Sequence, residues 1–229
     1  MAKLRIFVVL FLFFQYVSRG FEEVVKKLES DGFHTENGLY IEKMSYQHVD
    51  ILSEYLRSGN IFKTYMIGYK KEDWDSIDKI KKYLMHTIYR DNCRHFVIKA
   101  KKGTKHRNGV FKEDTVIGVI GFSMYKECCK NNEVINNVLW PSYWIAEKYQ
   151  RNGFMKSIAI PLIKRVFMEA GDVQYFCTTC VKGNVASEKI LTCSYEQIKL
   201  KCDVTDMENQ RSDKYSSHIF FCFHKKNKN

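Results

Sequence analysis

Two prolines and 12 glycines in 229 residues are too few for a collagen-like or disordered chain. The sequence has no long repeat and no low-complexity tract. Zinc-finger spacing, aromatic-rich RNA-binding strand motifs and helix-turn-helix patterns are also missing, so nothing local points to nucleic acid. The apolar run IFVVLFLFF near the N-terminus is nine residues long, short of the roughly twenty that a membrane-crossing helix needs. A single globular domain is left, with enough length to bury a core.

What is present is 45% hydrophobic and 28% charged, with a formal net charge of +11. Such a surface attracts polyanions. The lysines are spread over many segments (KKLES, KKED, KIKKY, KAKKGTKHR, HKKNKN), which is the pattern of a solvated basic surface, and no nucleic-acid partner is expected. The first twenty residues differ from the rest. MAKLR is basic, the apolar run follows, and Ser18 and Gly20 are small residues suitably placed ahead of a cut. This reads as a signal peptide; an uncleaved N-terminal anchor and a buried helix are the alternatives. Residues 1–20 are therefore a secretory or membrane-anchoring segment, and residues 21–229 one domain, which an anchor could leave facing the cytoplasm. Eight cysteines are an even number, which permits disulfides in a secreted chain. A domain this long does not need them, and several lie in apolar runs such as YFCTTC and FFCFH. They read as buried free thiols. The single CTTC lacks the second pair that zinc usually takes, so no metal is expected.

Hydrophobic periodicity orders the elements. FEEVVKKLESDGF has helical spacing and GLYIEKMS alternates as a strand. SYQHVDILSEYLRSG and KEDWDSIDKIKKYLMHTIYRD are two helices, with Ser45 a possible N-cap of the first. RHFVIKAKK and DTVIGVIGFSMYK are strands of a long hairpin with an Asn108–Gly109 turn in its polar loop. NVLWPSYWIAEKY is the next strand, entered through Pro141. An amphipathic helix then runs from about Asn152 to Ala170, stopped by Gly171. VQYFCTTCV is a strand, NVASEKILTC a short helix capped by Asn184, and YEQIKLKCDV and SSHIFFCFHKK are closing strands. The fold class is α/β with a mixed, mostly antiparallel sheet flanked by helices, in the order β-α-α-β-β-β-α-β-α-β-β.

The helix that begins near Asn152 starts on a basic, glycine-bearing turn. Its unsatisfied N–H groups and positive dipole end suit a phosphate. This turn, YWIAEKYQRNGF, together with NVASEKILTCSY and TVIGVIGF, resembles the GCN5-related N-acetyltransferases, and among them the RimJ/RimL-like branch. The family's turn reads Gln/Arg-x-x-Gly-x-Gly/Ala. Here it is Gln150, Arg151, Asn152, Gly153, Phe154, Met155: the first glutamine and the central glycine match, and Met155 departs. Arg151 stands where the branch often has glycine, and Ser157 where it often has glutamate.

The resemblance implies acetyl-CoA as co-substrate, no metal, and direct transfer of the acetyl group to a primary amine on a protein N-terminus, a lysine or a polyamine-like molecule. By position, residues 150–156, with Lys156 adding charge, would hold the pyrophosphate. The backbones of Trp144, Ile145 and Ala146 would pair with the pantetheine arm, and Asn184 would contact it. Ser187 would protonate the leaving thiolate, with Tyr195 the second candidate. Glu147, Glu133 and His95 are possible bases through a water, and each also reads as an ordinary surface group. A catalytically silent member that binds CoA or another protein is the alternative. The acidic loop DVTDMENQRSDKYSS either attracts a cationic acceptor or is simply solvated.

Overall fold

The structure is a computed structural model, and it describes residues 19–58, 76–89, 93–130, 133–199, 204–206 and 218–225. The apolar segment before Arg19, Trp74 and most of the acidic loop lie outside those residues. In chain order the elements are α1 (Arg19–Asp31), β1 (Phe33–His34), β2 (Leu39–Lys43), α2 (Val49–Ser58), α3 (Ile77–Ile88), β3 (Cys93–Ala100), β4 (Lys105–His106), β5 (Gly109–Val110), β6 (Thr115–Lys130), β7 (Glu133–Ile145), α4 (Phe154–Glu169), β8 (Tyr175–Val181), α5 (Val185–Lys199), β9 (Val204–Asp206) and β10 (His218–Lys225). From β2 onward this is the expected order, with the small β4–β5 hairpin set into the loop between β3 and β6.

Eight strands form one sheet in the order β1-β2-β3-β6-β7-β8-β10-β9. Every neighbouring pair is antiparallel except β7 and β8. That parallel ladder holds only Val138 against Tyr175 and Leu139 against Phe176; beyond it the two strands part. One face of the sheet carries α1, α4 and α5 over a core that includes Phe21, Leu28, Phe96, Phe122, Ile163, Phe167 and Leu191. The other face carries α2 and α3 over Leu52, Leu56, Ile80, Leu84, Val97 and Val119. With both faces covered, the central strands lose the plain apolar–polar alternation: β3 buries Phe96, Val97 and Ile98 in succession. A register shift between Ile98 and Lys99 skips Ile117 in the pairing, and Ile117 and Ile120 consequently face the same core.

Five expectations about elements need correction. α5 runs through Lys199, so YEQIK is helix; Ile190, Leu191, Ser194 and Ile198 are buried at helical spacing, which outweighs the alternating pattern of its last residues. α4 is apolar on most of its circumference, with Phe154, Ile158, Ala159, Ile160, Leu162, Ile163, Val166 and Phe167 buried, because it packs against other helices as well as the sheet. The hairpin of β6 and β7 continues to Lys130 and Glu133, past the expected end of either strand. Pro141 lies inside β7, opposite Phe122, and does not open the strand. Cys177 and Cys222 face each other across β8 and β10 and form a disulfide. Strand pairing set that partnership, and Cys93, Cys180 and Cys193 are free as expected.

Candidate active site

Where β7 leaves β8, a cleft of about 610 Å³ opens. The backbone of β7 forms its first wall. Thr178 Oγ1 donates to the Pro141 carbonyl at 3.2 Å, so Pro141 turns its backbone toward β8. In a strand, a residue's N–H and C=O point to the same side, and successive residues alternate. Pro141, Tyr143 and Ile145 therefore address the cleft edge, while Trp144 and Ala146 address β6. Two contacts bear this out: Ala146 N–H donates to the Ile117 carbonyl at 2.8 Å, and a side chain at Gly118 on β6 would strike the Trp144 carbonyl. Proline is tolerated in this central strand because the donor it lacks is on the side where the ladder has ended.

The second wall is the turn into α4. Gln150 Nε2 donates to the Ile145 carbonyl at 3.1 Å, tying the turn to the strand end. Tyr143 N–H, Tyr143 C=O and Ile145 N–H are then the open backbone groups of this edge. Asn152 Nδ2 donates to the Tyr149 and Gln150 carbonyls at 2.9 and 3.0 Å, bracing the turn from inside. Arg151 and Gly153 both have left-handed backbone, φ 62 and 74; only Gly153 adopts it without steric cost. Gly153 precedes α4 without a side-chain cap. The N–H groups of Phe154, Met155 and Lys156 have no partner among the described residues, while Ser157 N–H is the first to bond within the helix, to the Gly153 carbonyl at 3.0 Å. Met155 packs against the core while also lining the cleft. Ser157 Oγ donates to the Phe154 carbonyl at 2.9 Å and accepts from Asn37 Nδ2 at 3.1 Å.

β8 and the start of α5 form the third wall. Asn184 Oδ1 accepts from Ser187 N–H at 3.2 Å, the N-cap bond. Its amide nitrogen has no partner among the described residues. Tyr143 lies across from Ser187. Its phenol is buried, is directed at the Ser187 hydroxyl without closing a full hydrogen bond, and has no other partner among the described residues. Burial pushes its pKa well up, so it stays a proton-bearing donor. Cys180 also lines the cleft; burial, with the Glu188 charge adding to it, pushes its thiol up to about 11.

Trp144, Ile145, Gln150, Arg151, Asn152, Gly153, Phe154, Met155, Lys156, Asn184 and Ser187 all line the cleft. Two expected site residues do not. Ala146 has its N–H engaged by β6, and Tyr195 packs its ring 5.1 Å from that of Phe223; Trp144 lines the cleft, but its backbone is turned to β6 and not, as expected, to the pantetheine edge. Of the three base candidates, Glu147 is exposed beyond the strand end and His95 lies over Gly121 on β6; neither lines the cleft, and the Glu133 side chain lies outside the description. Tyr143, Thr178, Cys180 and Lys189 are site residues that motif reading passed over. The alternation of YWIAE carries the signal for Tyr143, once its phase is known. The described lining holds no Asp, Glu or His; its charged side chains are Arg151, Lys156 and Lys189. Such a cleft suits an anion with an extended, amide-bearing tail.

The model of the acetyltransferase (GNAT) domain matches residues 39–193. No curated protein matches the sequence. Among solved structures, the chain resembles RimL, a ribosomal L7/L12 α-N-protein acetyltransferase in complex with coenzyme A (TM-score 0.56, 16% identity, 84% of this chain and 96% of that one). It also resembles RimJ of Mycobacterium smegmatis in complex with a CoA disulfide (TM-score 0.52, 12% identity, 83% and 84%). Spermidine N-acetyltransferase from Vibrio cholerae, in complex with CoA and spermine, is a third (TM-score 0.53, 11% identity, 82% and 93%). At these identities the structures share the fold, and the domain match, which takes in β2 through most of α5, supplies the family: the chain belongs to the GNAT acetyltransferases.

Proposed function

We propose that the cleft binds acetyl-CoA and that the chain transfers its acetyl group to a primary amine. The observation that carries this reading is the wedge between β7 and β8: an open backbone edge along one side, three unpartnered helix N–H groups at one end, and no acidic side chain in the described lining. The N–H groups of Phe154, Met155 and Lys156, the α4 dipole and the charges of Arg151 and Lys156 suit a pyrophosphate. Tyr143 and Ile145 present backbone groups to a pantetheine amide and to the thioester carbonyl, and Asn184 Nδ2 adds a donor. Acetyl-CoA supplies an activated acyl carbon and a thiolate leaving group.

Ser187 is placed to donate its proton to that sulfur and would regain one from solvent, with the Tyr143 hydroxyl beside it as a neutral hydrogen-bond donor. Cys180, held as a thiol at neutral pH, is a poor nucleophile, which favours direct attack by the amine over an acetyl-cysteine intermediate. The amine, on a protein N-terminus, a lysine or a polyamine-like molecule, would reach the carbonyl as the neutral base and lose its proton to water. That the described lining holds no carboxylate or imidazole favours a second reading, a member that binds CoA without transferring acetyl groups.

Calorimetry with the full chain tests the binding. Acetyl-CoA should bind in the micromolar range, and Gly153→Glu, which forces a carboxylate and a strained φ into the turn, should weaken it by at least about tenfold. A folded wild-type chain that does not bind would overturn the reading. Binding with no acetyl transfer to any amine of a screened panel would leave the silent alternative.

Segment 1–20 we read as a targeting element. Gly20 lies inside α1 against Asp172, whose Oδ1 would be 2.6 Å from an added Cβ, and Phe21 is buried. A cut after Gly20 would remove the first two residues of a packed helix, which favours an anchor over a cleaved signal. Mass spectrometry of the protein from its native membrane or lumen would distinguish the two.

A further inference from the structure

The loop between β3 and β6 reads KKGTKHRNGVFKED, residues 101–114, with five Lys or Arg followed by two acids, Glu113 and Asp114, at its end. It folds as the β4–β5 hairpin, Lys105 opposite Val110 and His106 opposite Gly109, with Arg107 and Asn108 at the tip. β6 and β7 are antiparallel, and Gly118 near the start of β6 pairs with Ile145 at the end of β7. This loop therefore emerges at the same end of the sheet as the turn into α4.

The hairpin is fastened to that turn. Arg107 N–H donates to Asn152 Oδ1 at 2.6 Å, and Asn152 is the residue already braced against the Tyr149 and Gln150 carbonyls. Behind the tip, Phe111 packs 5.3 Å from Tyr149 and 6.1 Å from Phe154, ring to ring. His106 lies 4.6 Å from Phe111 and 6.4 Å from Tyr149. Tyr149 lines the cleft and Phe154 opens α4. The hairpin is thus held in place by aromatic packing against the anion-binding turn.

Some cations elsewhere are paired, as Lys43 is with Glu29, Lys81 with Asp50, Arg94 with Glu22 and Lys99 with Glu42. Lys105, Arg107, Arg151 and Lys156 have no ion pair among the described residues. Of the two acids at the end of the loop, Glu113 and Asp114, Asp114 is engaged by Lys102 N–H at 2.9 Å and by the Tyr40 hydroxyl at 2.8 Å. A set of uncompensated cations on a fastened element beside a pyrophosphate site is arranged for a second anionic group of the same ligand.

We propose that the β4–β5 hairpin binds the ribose 3′-phosphate of coenzyme A, through Arg107 and Lys105, with Arg151 completing the cluster. The inference rests on the acetyl-CoA reading of the cleft. Its consequence is selectivity: the protein distinguishes CoA from dephospho-CoA, which has the same pyrophosphate and pantetheine but lacks that phosphate.

The test is titration calorimetry of the full chain with CoA and with dephospho-CoA, for the wild type and for Lys105→Gln/Arg107→Gln, each checked for folding by circular dichroism. The wild type should prefer CoA by about tenfold or more, the contribution expected of one or two charge-assisted bonds. That preference should shrink as salt is raised, a reading that needs no variant. The double variant should bind both ligands alike. Equal wild-type affinities would overturn the hairpin's role and leave the acetyl-CoA reading standing. A preference that persists in the folded variant would overturn it too, placing the phosphate elsewhere on the rim. Binding of neither ligand by the wild type would overturn both.

Discussion

Ser187 and Tyr143 face one another across the wedge, one on the first turn of α5 and the other on β7. Ser187 is positioned by its own N–H through the Asn184 cap, a bond that does not use its hydroxyl. Ser187→Ala should lower kcat for acetyl transfer by about 100-fold, the contribution typical of a general acid, while changing acetyl-CoA affinity little; steady-state kinetics beside calorimetry would show the split. At the turn, Arg151 holds a left-handed φ of 62, which costs an L-residue about 1 kcal/mol. Arg151→Gly should raise stability by about 0.5–1 kcal/mol in denaturant titration and weaken acetyl-CoA binding, because a cation is lost. Asn184 was legible as a helix cap and Gly153 as the glycine of the turn, whereas Gln150 stood out only through the resemblance to the family's turn motif. Tyr143 was not legible, and Ala146 was misassigned. Which residues of β7 address the cleft depends on the phase of pairing with β6, set by residues about 25 positions away in the chain.

At the scale of elements, α1 lies outside the matched domain yet contributes Phe21, Val24, Val25 and Leu28 to the same core as α4. Phe21 is 1% exposed, and Phe21→Ala should lower the unfolding free energy by about 3–5 kcal/mol, read from a urea titration. An effect under 1 kcal/mol would mean that α1 is not a working part of the core. Helices and strands with a clear local period were read correctly from the sequence. The misread ones were those whose period is masked by tertiary surroundings. The polar face of α4 is narrowed to a strip that includes Lys156, Lys164, Arg165 and Glu169 because the helix is buried on several sides, and the last turn of α5 alternates like a strand while packing as a helix. Pro141 was read as the entry to its strand; only the parting of β7 and β8 makes it acceptable in mid-strand.

At the scale of the whole molecule, the layer of α2 and α3 is joined to the sheet through a small charged cluster. His48 Nδ1 accepts from Ser45 N–H at 3.1 Å, and Nε2 lies 3.1 Å from Glu42, whose other oxygen takes Lys99 at 3.0 Å. Burial holds His48 below the ordinary histidine value of 6.5 against the pull of Glu42. For Glu42, burial raises the carboxyl, and Lys99 and His48 together still hold it below its ordinary 4.5. In both cases the unfolded chain binds protons more readily than the folded one, so stability rises with pH through these ranges. The melting temperature should fall as pH drops below about 6.5 and fall further below about 4.5. His48→Gln should flatten the upper part of that profile, as measured by scanning calorimetry.

The sequence alone determined the element order, the α/β class, the glycine turn and its helix, and the Asn184 cap, because these rest on spacing and backbone preference within a few residues. Only the tertiary structure decided which edge of β7 is open, that the wedge lies beyond a two-residue parallel ladder, that Tyr143 meets Ser187, and that the basic hairpin is fastened to Asn152. These relations join residues far apart in the chain. They are set by sheet register and by competition among apolar surfaces for one core, and no local pattern encodes either.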